Sequence, residues 1–233
     1  MRRLCKRWAT PTLEADKGTA ALAGQAEPPA RPSRGPHSHH PPTSTQAAPD
    51  LFSNTRRRVF TEFGRALTSK AGLIVSQVEY AKQTELEGTA DASSSSSPPR
   101  IAILHAGADV LMRACYRPEI YSHRVSAYGP DGSSLDGPTV VHDLAGPLCF
   151  AGDYPKKGVH LPSIEAGDYV VVHDAGANTL ALWSKHCSRL AMPVYSYSRD
   201  ADGRMRVRKR LEGESLENML GFWGAQSPQT QHE

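Results

Sequence analysis

The segment LIVSQVEYAK, residues 73–82, sets the fold class of this sequence. Its second half alternates apolar and polar side chains, and this period of two is typical of a β-strand with one buried face. Short segments of strand character recur at residues 101–105, 124–128, 139–145, 169–174, 180–184, 194–198 and 205–210. Gly-Pro and Asp-Gly pairs between them mark turns. Many short strands joined by turns predict a mainly β fold, either a β-sandwich or a β-barrel.

The composition divides the chain around this β-domain, which we place at residues 72–212. Residues 1–50 hold 8 of the 18 prolines and little apolar periodicity, which predicts a disordered leader. Residues 51–71 form a separate stub with a short strand at 58–61 and a turn or short helix at 65–70. Residues 83–100 contain a five-serine run and predict a long surface loop or hairpin tip. Residues 213–233 predict a short C-terminal helix, opening with a serine cap at 215, and a tail.

The net charge of +3 belongs entirely to the leader. Residues 1–50 carry seven Lys/Arg against four Asp/Glu, and the remaining residues carry 20 of each. A basic binding face on the folded part is therefore not indicated, and nucleic acid is not an expected partner. The alternating arginines at 204, 206, 208 and 210 are better explained as a charged edge strand that blocks edge-to-edge pairing.

Targeting and metal signals are weak. No apolar stretch approaches the ~18 residues needed to span a bilayer, so no membrane partner is expected. The four cysteines, separated and without a C-x-x-C pair, predict reduced thiols in an intracellular protein and no metal site. The start MRRLCKRW suits a transit peptide, which would place the protein in a plastid or mitochondrion rather than the cytoplasm. A poorly defined N-terminus of a gene model is an equal alternative.

Three segments are unusual for a plain β-domain. In EFGR (62–65), a glycine beside an arginine at a strand end suits a phosphate, since a bare backbone N–H and a guanidinium fork both bind it. In GPLCFAGD (146–153), a loop presents one cysteine, which is either a reactive thiol or a small buried apolar residue. In VHDAGAN (172–178), an apolar strand runs into a tight glycine turn.

The order of these motifs resembles the C-terminal part of the ornithine/diaminopimelate/arginine decarboxylase family, which depends on pyridoxal phosphate and has the alanine-racemase-like fold. EFGR resembles the family's E-P-G-R, and HAGADVLMR (105–113) its D-A-G-x-x-x-L-x-R. GPLCFAGD resembles G-P-x-C-E-S-x-D, and DAGAN (174–178) resembles D-A-G-A-Y. The resemblance is strongest to diaminopimelate decarboxylase and spans roughly residues 55–223. It implies the C-terminal β-barrel/sandwich domain of a fold-type-III enzyme, with residues 51–71 a remnant of the last βα unit of the TIM barrel.

The resemblance also implies roles for individual residues. Glu62 would lie beside the pyridine nitrogen, and Gly64, Arg65 and Asn178 would bind the cofactor phosphate. Arg113, with Tyr116 or Tyr121, would meet the far end of an amino-acid substrate. Cys149 would come from the partner subunit of a homodimer and return a proton to the carbanion. Asp153, the last residue of the same loop, is grouped with Cys149 as catalytic.

Three departures from the family pattern bear on these roles. Phe63 replaces the proline of E-P-G-R. Phe150 replaces an acidic residue that in the family recognises the substrate's far amino group, so an ordinary diamino-acid substrate is in doubt. Asn178 replaces a tyrosine that reaches the phosphate; its amide can donate a hydrogen bond but is shorter.

The family's Schiff-base lysine and most of its barrel precede E-P-G-R, where this sequence has about fifty low-complexity residues. We therefore expect a fragment, from an incomplete gene model or a truncated paralogue, that is inactive alone. The first alternative is a catalytically dead paralogue that docks onto a full-length decarboxylase as a regulatory or interaction partner. The second is a β-barrel binding module of unrelated function.

Overall fold

The computed structural model describes residues 19–24, 58, 60, 64–83 and 99–225. The strands are β1 Thr19–Gly24, β2 Gly72–Gln83, β3 Arg100–Leu104, β4 Val125–Tyr128, β5 Thr139–Ala145, β6 Lys156–Pro162, β7 Tyr169–Val172, β8 Val194–Arg199 and β9 Met205–Leu211. The α-helices are α1 Arg65–Thr68, α2 Met112–Tyr116 and α3 Leu216–Phe222, with 3₁₀ turns at Ser69–Ala71, Leu180–Leu182 and His186–Ser188. The predicted mainly β fold is confirmed.

Strand β2 belongs to two sheets and joins them. Its first half pairs with β7 on one side and β1 on the other, giving the order β4-β7-β2-β1-β8-β9. Its second half pairs with β3, giving β2-β3-β5-β6. The register shifts between Val78 and Tyr80, where a bulge bends the strand from one sheet into the other. The result is a nearly closed, barrel-like sheet.

The core fills the space between the two halves of this sheet. Ile74 and Val78 of β2 are buried beside Leu104 of β3 and Leu144 of β5, and Val170 of β7 closes the same cluster. Burying a side chain of this kind contributes roughly 1.5–3 kcal/mol, so this cluster provides much of the stability of the domain. Ile74 and Val78 therefore lie on a buried face of strand β2, as the periodicity of residues 73–82 predicts.

Most predicted strands are present within one or two residues, but residues 180–184 form a 3₁₀ turn instead of a strand. The chain bends there because Asn178 has a φ of 56° and the Thr179 hydroxyl donates to the Ala175 carbonyl. Strand β6 was not predicted, because its sequence KKGVHLP contains two lysines, a glycine and a terminal proline. It lies at the end of its sheet, where such residues are tolerated.

The leader differs from the prediction of disorder at one place. Thr19–Gly24, with the sequence TAALAG, lies as β1 between β2, to which it is antiparallel, and β8, to which it is parallel. This segment lacks charge and proline, so it can donate and accept ladder hydrogen bonds on both sides. The other residues of the leader lie outside the described part, as do most of the strand predicted at 58–61 and the serine run.

Strands β2 and β3 are antiparallel, and Gln83 at the end of β2 pairs with Arg100 at the start of β3. The arginine-rich strand β9 lies at the end of its sheet order, as a charged edge strand should. The C-terminal helix α3 begins after Ser215, whose hydroxyl accepts from the Asn218 N–H as an N-cap. No helix among the described ranges is long and apolar enough to cross a membrane.

Candidate functional site

Residues from three separate motifs line one cleft of about 240 Å³, which we call the arginine cleft. Its lining consists of Arg65, Ser69, Arg113, Tyr121, Ser122, His123, Asp174, Ala177 and Asn178. A neighbouring cleft of about 420 Å³ shares Tyr121 and Ser122 with it and extends to Cys115 and Lys156. Four of the residues proposed from the sequence, at positions 65, 113, 121 and 178, therefore lie together.

The turn after β7 and the segment after α1 meet by close backbone contact. The Ala175 N–H donates to the Gly72 carbonyl over 2.8 Å, and the Gly176 N–H donates to the Ser69 carbonyl over 3.0 Å. A β-carbon added at Gly176 would lie 2.0 Å from the Thr68 carbonyl oxygen. Only glycine allows this approach, which fixes Arg65 and Asn178 on the same side of the domain.

Two guanidinium groups share one aromatic ring in the cleft. Arg65 lies 5.1 Å and Arg113 lies 5.0 Å from the centre of the Tyr121 ring. Arg113 is held on the short helix α2, which follows a turn closed by the Leu111 N–H donating to the Gly107 carbonyl. A cation over an aromatic face is stabilised by about 0.5–1 kcal/mol at an exposed site. Tyr121 thus orients both positive charges toward the cleft.

Asp174 is the acidic residue of the cleft, and its charge is balanced by other cations. Its carboxylate accepts from Lys70 Nζ over 2.7 Å and from Arg124 Nε over 3.0 Å. Burial acts to raise the pKa of Asp174, but the hydrogen bonds from Arg124 and Lys70 outweigh it and lower the pKa to about 2. None of the ion pairs within the described ranges uses Arg65 or Arg113. The cleft is therefore suited to an anion.

Asn178 lies in the left-handed region of backbone conformation, with a φ of 56°. Asparagine adopts this region more readily than most residues, which gives a backbone reason for its presence at the end of the turn. Its side chain lines the arginine cleft, where the amide N–H₂ can donate to an anion. The replacement of the family's tyrosine therefore keeps a hydrogen-bond donor at this edge.

Asp153 holds the 146–153 loop from below. It is 3% exposed, and its carboxylate accepts from the Ala108 N–H over 2.6 Å and from the Leu148 N–H over 2.7 Å. Burial raises the pKa of Asp153. Burial and the nearby Asp153 raise the pKa of the Cys115 thiol to about 12. Asp153 thus ties the 146–153 loop to the 105–113 segment.

Cys149, in that loop, is not among the residues that line the arginine cleft. Its thiol is exposed, and its Sγ is 3.4 Å from Sγ of Cys187. The hydrogen bond with Cys187 raises the pKa of Cys149. The next residue, Phe150, stacks on Tyr116 with ring centres 4.9 Å apart. Tyr116 therefore belongs to the cysteine loop, while Tyr121 belongs to the cleft.

The structure thus separates the predicted site residues into two groups. Arg65, Arg113, Tyr121 and Asn178 line the cleft, with Gly64 exposed directly before α1. The second group is made of Tyr116, Cys149 and Asp153 around the loop. Glu62 lies outside the described residues.

Sequence reasoning missed Lys70, Arg124 and Cys187. Lys70 and Arg124 meet Asp174 only because the fold joins segments 104 and 50 residues apart, and Cys187 is 38 residues from Cys149. The sequence carries no local signal for such pairs.

Sequence comparisons match this chain to known decarboxylases. The family model for the pyridoxal-dependent decarboxylase C-terminal sheet domain matches residues 33–176. The diaminopimelate decarboxylase of Escherichia coli is 32% identical over 161 residues, which cover 65% of this chain and 34% of the relative. The probable chloroplastic diaminopimelate decarboxylase of Oryza sativa subsp. japonica is 29% identical over 117 residues, which cover 49% of this chain and 22% of the relative.

Solved structures give the same result. A crystal structure of diaminopimelate decarboxylase superposes with a TM-score of 0.55 at 30% identity, covering 69% of this chain and 35% of the other. The Helicobacter pylori diaminopimelate decarboxylase, solved in complex with L-lysine, has a TM-score of 0.53 at 22% identity, covering 70% and 34%, and shows the shared fold alone.

The chain spans about a third of the length of these two structures and of the Escherichia coli relative. The family match covers more than half of the chain and includes Arg65, Arg113 and Asp174 of the arginine cleft, but it ends before Ala177 and Asn178. The chain therefore belongs to the pyridoxal-dependent decarboxylases and carries their C-terminal sheet domain.

Proposed function

We propose that this chain supplies part of the active site of an amino-acid decarboxylase of the diaminopimelate type, which acts in lysine biosynthesis. The arginine cleft carries the proposal, because it joins three family motifs around two arginines that have no acidic partner among the described residues. The proposed ligand of the cleft is the phosphate of pyridoxal phosphate.

The cleft's own groups fit a phosphate ester. Arg65 supplies a guanidinium fork, which matches phosphate oxygens in geometry and charge, and Arg113 adds a second positive charge beside it. Ser69 and Asn178 add neutral donors at the rim. Asp174 does not repel the anion strongly, since Lys70 and Arg124 balance its charge. When bound, the cofactor's ring serves as the electron sink for decarboxylation.

The remaining site residues receive roles in substrate handling and proton delivery. We assign to Arg113 and Tyr121 the binding of the substrate's far end, next to the phosphate. Cys149 would donate the proton that replaces CO₂, and the hydrogen bond with Cys187 raises its pKa, which favours the protonated thiol. Asp153 is a positioning residue in this proposal, because its carboxylate is occupied by backbone N–H groups beneath the loop. Glu62 keeps its predicted role at the pyridine nitrogen.

The other part of the active site is proposed to come from protein beyond this domain. The Escherichia coli relative has about two thirds of its length outside the match, and Cys149 lies apart from the arginine cleft. We propose that Cys149 serves the cleft of a partner, either a second copy or a full-length decarboxylase subunit. The proposed substrate is a small amino acid. Phe150 replaces the acidic residue that in the family recognises a distal amino group, so this chain lacks that contact.

Titration of the purified chain with pyridoxal phosphate tests the cleft. We expect saturable binding that is lost with pyridoxal, which lacks the phosphate, and that weakens about tenfold or more in Arg65→Gln, the loss of one charge-assisted contact. Arg208→Gln, on the edge strand β9, is the matched control and should bind as the parent does. Equal binding of pyridoxal, or an unchanged affinity in Arg65→Gln, would refute the phosphate assignment.

The same samples test activity. With the cofactor added, we expect no visible absorbance band from a bond between the cofactor and a lysine side chain of the protein. We also expect no CO₂ release from diaminopimelate, ornithine, lysine or arginine. CO₂ release by the isolated chain would contradict the proposal that the site needs further protein.

A further inference from the structure

Two exposed cysteines from different loops face each other at short range. Cys149 and Cys187 are separated by 38 positions in sequence, yet their sulfur atoms are 3.4 Å apart. A disulfide bond requires ~2.05 Å, so a small side-chain movement would bring the two atoms to bonding distance. The third cysteine of the described ranges, Cys115, is buried.

The loop that carries Cys149 is held on both sides. The Gly146 N–H donates to the Asp153 carbonyl over 2.8 Å, and the Asp153 N–H donates to the Phe150 carbonyl over 2.9 Å. Beneath the loop, the buried Asp153 carboxylate accepts from the Leu148 N–H. The position of the Cys149 backbone is therefore fixed by its own loop.

The loop that carries Cys187 is anchored to different elements. The Ser184 N–H donates to the Asp109 carbonyl over 2.9 Å, and Arg189 donates to the His105 carbonyl and to the Asp109 carboxylate. Lys185 forms an ion pair with Glu214, and both side chains are mostly buried. Cys187 itself has a φ of 55°, a conformation that is uncommon outside glycine. The surrounding contacts hold it there.

An aromatic contact joins the two loops next to the sulfur atoms. The centres of the Phe150 and His186 rings are 6.3 Å apart, and Phe150 also stacks on Tyr116. Each cysteine is therefore adjacent in sequence to a member of this contact. The arrangement keeps the two thiols opposite each other, so closure of the pair costs little loop entropy.

We propose that Cys149 and Cys187 are a redox-active dithiol site that closes reversibly to an intrachain disulfide. The oxidant is a low-molecular-weight disulfide of the glutathione class. One cysteine thiolate attacks a sulfur of the oxidant, forming a mixed disulfide and releasing one glutathione thiol. The second cysteine then attacks the protein sulfur of that mixed disulfide, which forms the Cys149–Cys187 bond and releases the second thiol. Two protein thiols are oxidised and one glutathione disulfide is reduced, with the two protons carried by the two thiols released.

The site has a consequence for the proposed decarboxylase, and this consequence alone rests on the proposed function. A Cys149 sulfur in a disulfide has no proton to donate, so oxidation would remove the proton donor and reduction would restore it. The dithiol chemistry itself requires neither the cofactor nor a partner. The test of the dithiol site therefore measures the oxidation state of the thiols and not decarboxylation.

The experiment equilibrates the purified chain in glutathione buffers from fully reduced to fully oxidised, followed by acid quenching, alkylation and mass analysis. We expect two of the four thiols to lose their alkyl label together, with a cross-linked peptide pair containing Cys149 and Cys187. Excess reduced glutathione should restore both labels. The matched control Cys5→Ser should still lose the same two labels.

The variant Cys187→Ser should form no internal disulfide, and Cys149 should instead gain one glutathione. Thermal melting in reductant shows whether this variant is folded, and Cys187→Ala provides a second variant if it is not. The proposal is overturned if both cysteines stay alkylated in every buffer, if each gains glutathione without cross-linking, or if Cys149 links to Cys5 or to another chain. A failure here leaves the pyridoxal phosphate titration unaffected, so the two proposals are separable.

Discussion

At the scale of single residues, Asp153 explains why glycine occurs at two positions of the family-like motifs. A β-carbon added at Gly146 would lie 2.2 Å from an Asp153 carboxylate oxygen, and one added at Gly107 would lie 2.6 Å from the other. Both glycines let two backbone segments close around one buried carboxylate. The charge is tolerated because backbone N–H groups satisfy it.

We predict that Gly146→Ala destabilises the domain by about 1–3 kcal/mol, the range for overpacking a tight site. The added methyl group would collide with a carboxylate that cannot leave its hydrogen bonds. Chemical denaturation measures the change in the free energy of unfolding. Gly129→Ala is the control, because its β-carbon would meet Asp131 and Ser133 no closer than 3.4 Å. Equal effects of the two substitutions would show that the contact with Asp153 is unimportant.

At the scale of elements, the arginine cleft depends on how the turn after β7 docks on the segment between α1 and β2. Neither element forms a site by itself. Helix α1 has four residues, far fewer than an independently stable helix, so its position comes from the hydrogen bonds of Ala175 and Gly176.

We therefore predict that Gly176→Ala weakens pyridoxal phosphate binding about tenfold, although residue 176 itself adds no donor to the cleft. The new methyl group would push against the Thr68 carbonyl oxygen, displace α1 and move Arg65 away from Tyr121. Calorimetric titration of the folded variant measures the affinity. Gly221→Ala, whose β-carbon would meet nothing within 4 Å, should bind normally. Unchanged binding in Gly176→Ala would mean that α1 is positioned by other contacts.

At the scale of the whole molecule, stability should depend on histidine protonation. Burial lowers the pKa of His123, His142 and His173. The unfolded chain, with histidine pKa values near 6.5, binds protons more readily than the folded chain in this range. The neutral buried histidines therefore contribute fully to the free energy of unfolding above about pH 6.5, and this contribution is lost as the pH falls from there through their lowered folded-state pKa values.

We expect the melting temperature to decrease between about pH 7.5 and pH 5.5, and thermal scans in matched buffers measure this. His142→Gln should flatten the dependence, since His142 is 1% exposed. His160→Gln, on an exposed position of β6, should leave the slope unchanged. A slope that is the same in all three proteins would rule out His142 as its source.

The amino-acid sequence by itself determined the fold class, because period-two burial and turn residues are local signals. Residues 73–82 show this directly as β2, and Ser215 marks the start of α3 in the same way. The sequence also indicated which motifs are candidates for chemistry, since a glycine beside an arginine and a cysteine in a Gly-Pro loop are readable as short patterns.

Only the tertiary structure decided which of these residues act together. It placed Tyr121 in the arginine cleft and Tyr116 under Phe150, balanced Asp174 with cations from two distant segments, and brought Cys187 to Cys149. It also turned TAALAG into strand β1, because open ladder positions on β2 and β8 were available to it. Such contacts depend on the distance between segments in the folded chain, which no local pattern of residue types encodes.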